Sequence, residues 1–329
     1  MVELSVAVER WPVAGAFVIS RGAKRHVDVV VATLRDGDLV GRGEATPVYY
    51  HGEDAESCAA AIRAEAEAEA LRADPSRASL NQRMPRGAAR NALDAALWDL
   101  EAQRRGEPAW KLAGLTPPRP LATAYTISLG SPDRMEADAR RAARHFSLLK
   151  LKLAGEGDIE RVAAVRRGAP GCRLIVDANE AWTGRDVAAE AAALLPYGVE
   201  LIEQPVKAGQ DHLLDGIASP IMLCADESCQ DRADLARCAG RYGAINIKLD
   251  KAGGLTEALA LAHAATAQGF ALMVGCMLST SLGIAPAVLV AQTARWVDLD
   301  GPLLLAGDRA DGLVYEDGMV HMPPAGLWG

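Results

Sequence analysis

No stretch of the 329-residue chain approaches the roughly 18 uninterrupted apolar residues that a membrane span needs. Its first residues, MVELSVAVERWP, lack a basic start followed by an apolar core, so they do not read as a signal peptide. The six cysteines (Cys58, Cys172, Cys224, Cys229, Cys238, Cys276) show no CxxC spacing. In a chain of this length that points to free thiols in a reducing cytoplasm rather than to a disulfide frame. Positive charge is not in excess either: 35 Lys and Arg against 43 Asp and Glu leave a net charge of −8, which argues against nucleic acid as a main partner. A local cationic pocket for a small acid remains compatible with that balance. No P-loop or dinucleotide-type glycine signature follows the first strand of either half.

Residues 1–118 read as α+β. Alternating stretches at Leu4 to Val8, Val27 to Leu34 and Leu39 to Ala45 suggest a three-stranded meander, with a turn at Asp36-Gly37-Asp38. Helical patterns follow from Ala55 to Leu71, near Leu80, and from Gly87 to Arg105, where Leu93, Ala96, Leu97 and Leu100 form one stripe. Thr116 to Pro120 is a linker. From 119 to 306 the pattern changes to eight short apolar runs, spaced 22 to 27 residues apart: LATAYTI, LLKLKL, RLIVDAN, VELIEQP, IMLCADE, AINIKLD, ALMVGCM and RWVDLD. Most are followed by helix-like sequence, which predicts an α/β fold, a (β/α)8 barrel with the α+β part as a second domain. The closing segment 307–329, with GLVYEDGMVHMP, is expected to return to the first domain as a strand.

The run LLKLKLAG places Lys150 and Lys152 on one face of a strand, with Leu149, Leu151 and Leu153 on the other. Alone, this fits an edge strand with a solvated lysine face. The neighbouring runs favour another explanation. Lys150, Asp177, Glu203, Asp226 and Lys248 follow one another at 27, 26, 23 and 22 residues, one βα unit each, and Asp298 and Asp300 end the last run. All fall at the C-terminal mouth, where barrels of this kind build their sites. Asp177, Glu203 and Asp226 could each cap a helix or pair with an Arg. Converging from adjacent strands, they suit one hard divalent cation, Mg2+, with water and substrate oxygens completing an octahedron. Asp226-Glu227 is ambiguous, because alternation sends only one of the two inward. Lys150 and Lys152 on one side and Lys248 on the other would flank that ion. Crowding and the metal are expected to lower a lysine toward the range useful for proton transfer, while Mg2+ stabilises the enediolate left when a proton leaves the carbon beside a carboxylate. Lysines on opposite faces permit inversion of a stereocentre.

These motifs (KLK, DANEAW, EQP, ADES, NIKLDKAGG, GCML, DLDGP), in order and at fitting intervals, resemble the enolase superfamily, its muconate-lactonizing subgroup and, within it, the L-Ala-D/L-Glu (dipeptide) epimerases. The resemblance implies a modified (β/α)8 barrel with an α+β capping domain. It implies Lys152 and Lys248 as the acid/base pair, Lys150 as the lysine that contacts the substrate carboxylate, and Asp177, Glu203 and Asp226 as metal ligands. It further implies that Asp298 and Asp300 hold the substrate ammonium, that Thr126 contacts substrate, and that Cys276 and Leu278 meet it through backbone groups. Ser279-Thr280 stand where many relatives carry Glu. From the capping domain, Arg21, with Lys24 and Arg25 nearby, could pair a glutamate γ-carboxylate, and Tyr49 and Tyr50 could wall the pocket; each of these except Arg21 could equally be an ordinary surface residue. The six histidines lack Asp partners at mouth positions, so the base of acid-sugar dehydratases is missing.

The expectation is a cytoplasmic, Mg2+-dependent dipeptide epimerase, one ion per site, that serves murein peptide recycling. Its partner is a small-molecule dipeptide, with no nucleic acid and no membrane; a homo-oligomer stays open. An o-succinylbenzoate synthase or cycloisomerase with the same lysines is the alternative, and a non-catalytic binding barrel a further one.

Overall fold

The computed structural model describes residues 2–19, 22–67, 74–324 and 326–329. The alternating N-terminal stretches pair as an antiparallel sheet, β1 (Glu3–Ile19), β2 (Gly22–Asp36) and β3 (Leu39–Ala45), in that order. β1 and β2 run well past the expected meander. Their pairing continues from Pro12↔His26 to Phe17↔Lys24 across a bulge. Pro12 and Gly15 disguise this part of the strand, and Gly15 uses its conformational freedom at φ 82°. The bulge is docked on the barrel: Val13 bridges Leu305, and Ala306 N donates to Pro12 O at 2.8 Å. The hairpin therefore leans over the barrel mouth.

β2 is buried on both faces. Val27, Val29 and Val31 join the core shared with the barrel, while Val30, Ala32 and Leu34 pack into a second core. That second core is closed by α1 (Ala55–Glu67), α2 (Arg77–Arg83) and α3 (Ala88–Arg105), the last through the expected Leu93, Ala96, Leu97 and Leu100 stripe. β3 approaches α3 so closely that only glycine fits: a Cβ on Gly43 would stand 2.1 Å from Ala92 O. Gly43→Ala is therefore expected to cost about 2–3 kcal/mol of unfolding free energy through overpacking, measured by denaturant titration; a loss within experimental error would show that sheet and helix can part.

After β4 (Leu121–Ala122), the eight expected runs form β5 (Tyr125–Ile127), β6 (Leu148–Lys152), β7 (Arg173–Asp177), β8 (Val199–Glu203), β9 (Met222–Ala225), β10 (Ala244–Ile247), β11 (Ala271–Gly275) and β12 (Trp296–Asp298). They are neighbours in chain order, β5 through β12, and the first and last strands meet where Ala124 N donates to Val297 O at 2.7 Å. Side chains of one parity fill the barrel floor: Ala124, Leu148, Ile175, Leu201, Cys224, Ala244, Met273 and Trp296 form one apolar cluster. Leu149, Leu151 and Leu153 face outward into the main core. Two residues above the floor, the same parity carries Thr126, Lys150, Asp177, Glu203, Asp226, Asn246 and Asp298. Alternation alone therefore turns a greasy floor into a charged mouth.

The closing segment differs from expectation. β13 (Tyr315–Glu316) and β14 (Met319–Val320) form a tight hairpin through Asp317 and Gly318, both at positive φ, and β14 pairs with β4 rather than with the N-terminal sheet. Contact with the first domain comes from Arg309, which pairs with Glu9 and Glu44, and from the last four residues. Arg42 Nη2 donates to the Gly326 and Leu327 carbonyls, Trp328 Nε1 to Ala95 O, and Ala109 N to Gly329 O. Among the described residues, no helix is long and apolar enough to cross a membrane.

Candidate active site

Strand register brings the charged residues level. Lys150 pairs with Thr126 and Ile175, Lys152 with Asp177, Asp177 with Glu203, and Gly275 with Asp298. Asp226 and Lys248 each lie just past the last residue of their strand. The lysine pair is no edge feature: Lys150 is 2% exposed and Lys152 8%.

The buried groups alternate in sign around the mouth. Lys152 Nζ donates to Asp177 Oδ2 at 2.6 Å. Lys150 Nζ stands 2.6 Å from Glu203 Oε2, 2.7 Å from Asp298 Oδ2 and 3.5 Å from Asp177 Oδ2. Lys248 Nζ donates to Asp226 Oδ2 at 2.6 Å and lies 3.8 Å from Glu203 Oε1. At Lys150 these contacts oppose burial. Burial pulls its ammonium down, but Asp298, Glu203 and Asp177 outweigh it and hold the group well above its ordinary range. Lys248 behaves alike: burial opposes, and Asp226 with Glu203 prevails. Asp177, despite burial, is held at about 2 by Lys152 and Lys150. Glu203 is pushed up to about 7 by burial and by Asp177, with Asp226 adding to it.

Both Asp177 and Asp226 add to the upward push on Glu203, so the three acids feel one another across the mouth. All are hard oxygen donors, and among the described residues Glu203 Oε2 lacks a hydrogen-bond partner although an ammonium is close. The donor chemistry fits a divalent ion such as Mg2+. Ammonium groups now stand between the acids, and among the described residues no three His, Cys, Asp or Glu side chains are gathered closely enough to hold a metal as they stand.

One cavity of about 80 Å3 is lined by Thr126, Lys150, Lys152, Asp226, Lys248, Cys276, Leu278, Asp298 and Asp300, with Lys24, Tyr49 and Tyr50 above them. Asp177 and Glu203 reach it through Lys150, which both contact. A larger groove, about 370 Å3, runs on the far side of the wall made by Phe17, Thr126 and Leu304 and holds none of the lysines or acids above. Asp298 Oδ1 is buried without a hydrogen-bond partner among the described residues. Asp300 is pushed up to about 7 by burial and by Asp298. Neither caps a helix through its side chain, since Asp300 precedes the short turn Gly301–Leu304 without bonding to it. Leu299 is instead fixed between them, its N–H donating to Thr123 Oγ1 and its carbonyl accepting from Tyr315 Oη.

Several expected contacts are refined. Thr126 lines the cavity, but its backbone N–H donates to Asp300 Oδ2 at 2.7 Å. The Leu278 carbonyl accepts from Thr46 Oγ1 at 2.7 Å, which leaves one lone pair for a further donor. The Cys276 thiol is driven up by burial and by Asp300 and Asp298, which removes it as a nucleophile. Asp226 and Glu227 both line the cavity, because β9 ends at Ala225 and strand alternation no longer applies. Arg21 lies outside the described residues, and Arg25 lines a separate groove that Lys24 shares. Thr280 meets the capping domain: its N–H donates to buried Glu44 Oε1 at 2.7 Å, and Arg309 Nη2 lies 2.6 Å from Glu44 Oε2.

Other participants were missed. Phe17, from the hairpin, places its ring 5.8 Å from Lys152 Nζ. Asn246 Nδ2 donates to Glu203 Oε1 at 2.7 Å. Lys251, fully buried, donates to Asp226 Oδ1 at 2.6 Å and to the Asp226, Cys229 and Asn246 carbonyls. Gln204 Oε1 accepts from Asp226 N and Ser228 N, bracing the loop that presents Asp226. Asn246 shares the inward parity of Lys248, the one signal that could have found it.

Residues 1–114 match the family described as Mandelate racemase / muconate lactonizing enzyme, N-terminal domain, and residues 134–327 the one described as Enolase C-terminal domain-like. The L-Ala-D/L-Glu epimerase of Escherichia coli (strain K12) is 43% identical over 97% of this chain and 99% of its own length. An N-acetyl-D-glutamate racemase of Pseudoalteromonas sp is 40% identical over 92% of this chain and 95% of its own. A crystal structure of an enolase family member from Agrobacterium tumefaciens, described as homologous to dipeptide epimerases and holding sodium and L-Ala-L-Glu, superposes at a TM-score of 0.97, 49% identical and covering 100% of both chains. A dipeptide epimerase of Cytophaga hutchinsonii, complexed with Mg and D-Ala-L-Val, superposes at 0.90 with 28% identity over 97% of this chain and 92% of that one. The chain belongs to the mandelate racemase and muconate lactonizing enzyme group of the enolase superfamily and is an isomerase of the racemase and epimerase kind.

Proposed function

We propose that the protein is a dipeptide epimerase that inverts the α-carbon of the C-terminal residue, with L-Ala-D/L-Glu as its substrate pair. The observation that carries this is the sharing of one small cavity by Lys152 from β6, Lys248 from the end of β10, and the Asp298–Asp300 pair. One lysine takes the α-proton while the other gives one back from the opposite face. Lys150, held charged, stands where it can attract the substrate carboxylate. Asp298, with its unpartnered Oδ1, and Asp300 provide negative charge for a free α-ammonium. Lys24, which burial lowers, lines the outer part of the cavity and is the described candidate for the γ-carboxylate, together with Arg21.

Asp177, Glu203 and Asp226 would hold one divalent cation, Mg2+, which when bound draws negative charge onto the substrate carboxylate and makes the α-proton easier to remove. The acids that keep Lys248 protonated are members of that same ligand set. Sharing Asp226 and Glu203 with a cation weakens their hold on the Lys248 proton, and this is what a base needs. The setting proposed is recycling of murein peptides in the bacterial cytoplasm.

The 40% identity to an N-acetyl-D-glutamate racemase supports a second reading, racemisation of an N-acylated amino acid. Such a substrate has no ammonium to meet the aspartate pair. A panel of L-Ala dipeptides and N-acetyl-glutamate, followed by α-proton exchange in D2O, separates the two. L-Ala-D-Glu is expected to exchange fastest, to stop with EDTA and to recover with Mg2+. Exchange of N-acetyl-glutamate alone, or full exchange in EDTA, would overturn the proposal.

A further inference from the structure

The capping domain meets the two lysines differently. Lys152 is approached only by the Phe17 ring from the hairpin among the contacts described above. The turn that begins at Lys248 is bolted down. It is closed by its own backbone, with Ala252 N donating to Lys248 O at 3.0 Å and Gly253 N to Leu249 O at 2.8 Å. It is then held from outside by buried groups. Asp250 Oδ1 accepts from Thr46 N at 2.9 Å and from Asn91 Nδ2 at 3.0 Å. Arg90 donates to the Gly253 and Ala252 carbonyls at 2.9 and 2.6 Å. Asp94 accepts from Thr256 N and Oγ1. The glycines let these side chains in: at φ 80° and 123°, a Cβ on Gly253 or Gly254 would stand 2.5 Å from Arg90 Nε or Asp94 Cβ.

Asp250 is the link nearest the base, two residues from Lys248. Its two bonds go to different elements, the end of β3 and the first turn of α3, so one carboxylate oxygen fixes the turn against both. Burial pushes this acid up to about 7, a cost the site tolerates. Thr46 also holds the Leu278 carbonyl through its hydroxyl, so the same capping strand reaches the wall beside Lys248.

We propose that Asp250 is a positioning residue for Lys248, through which the docked capping domain sets the geometry of one of the two proton transfers and leaves the other alone. The inference rests on the two-lysine reading. It requires an asymmetry between epimers that a merely structural residue would not produce.

The test uses Asp250→Ala, Asp250→Asn and Asn91→Ala in the full-length enzyme with Mg2+. Initial α-proton exchange in D2O is followed separately from L-Ala-D-Glu and L-Ala-L-Glu. The epimer served by Lys248 is the one whose exchange is lost in Lys248→Ala. Backbone amide exchange is read over 248–254 and, as control, over 148–153. Asp250→Ala should slow the Lys248-dependent exchange by about 10–100-fold, as small misplacements of a catalytic group do, while the other epimer changes less than about threefold. Amide protection should fall over 248–254 only. Asp250→Asn keeps the accepting oxygen and should restore both readouts. Asn91→Ala should shift both in the same direction by less, and it carries the test if Asp250→Ala does not fold.

Equal slowing of both epimers, no slowing, or an Asp250→Asn as impaired as Asp250→Ala would overturn the proposal. Failure of the two-lysine reading has a separate signature, exchange of both epimers surviving in Lys248→Ala. Unchanged amide protection over 248–254 in Asp250→Ala contradicts the tie whatever the activity.

Discussion

Lys152→Ala and Lys248→Ala should each reduce epimerisation of L-Ala-D-Glu by at least about 10³-fold, within the range for loss of a positioned acid or base. The two variants should differ in what survives. With one lysine gone, the other can still remove the α-proton that faces it and exchange it with solvent. Each variant should therefore wash deuterium into one epimer only, and the two should be complementary. Both side chains line the cavity, and neither is needed to close the barrel, whose floor is the apolar layer beneath. Thermal unfolding should confirm that both variants fold. Full turnover in either one is incompatible with a two-base mechanism. Loss of all exchange in both would point instead to a shared role in holding the acids, since Lys152 contacts Asp177 and Lys248 contacts Asp226 at 2.6 Å.

The second large effect concerns the amine. Asp298 is 4% exposed, offers one carboxylate oxygen to Lys150 and leaves the other unpartnered. A substrate ammonium would meet that oxygen in a dry pocket, where losing one member of a charge pair costs several kcal/mol. Asp298→Asn should thus lower kcat/KM for L-Ala-D-Glu by about 10²–10³-fold. The substitution also weakens the contact to Lys150, so the dipeptide alone does not isolate the cause. Comparing the free dipeptide with its N-acetylated form does: the preference for the free amine should collapse, because the acetylated form never used the carboxylate's charge. If Asp298→Asn is mild on both, the aspartate pair does not read an amine, and a β-elimination, cycloisomerisation or N-acyl amino acid reaction becomes the better account.

Much of this site could be read from residue order because a barrel converts period into place. Lys150, Asp177, Glu203 and Asp298 sit on strands at the inward parity, so their spacing by one βα unit was enough to bring them together. What lay past a strand end was harder. Asp226 and Glu227 both reach the cavity since alternation stops at Ala225, and no period announces where a loop sends its side chains. Lys251 and Gln204 sat inside motifs that were recognised, yet their work is to hold Asp226 in place, which depends on contacts between loops. The hairpin that carries Phe17 and Lys24 was foreshortened because RWPVAGAF contains Pro and Gly, and a docked bulge reads as a loop until its partner, Leu305, is known. The electrostatics of the mouth likewise depend on contacts between strands. Lys150 and Lys152 share a face, as expected, but what sets Lys150 is the carboxylates of other strands.

The central claim is that the proton leaves by one lysine and another arrives from the opposite lysine. The most direct measurement follows each epimer of L-Ala-Glu to a few per cent conversion in D2O with Mg2+, reading deuterium at the α-carbon of product and of remaining substrate. Two separate bases predict product that is deuterated from the first turnover in both directions, with the unconverted substrate still largely protonated. Product that keeps the substrate's own proton would mean a single base returns it, and would contradict the account.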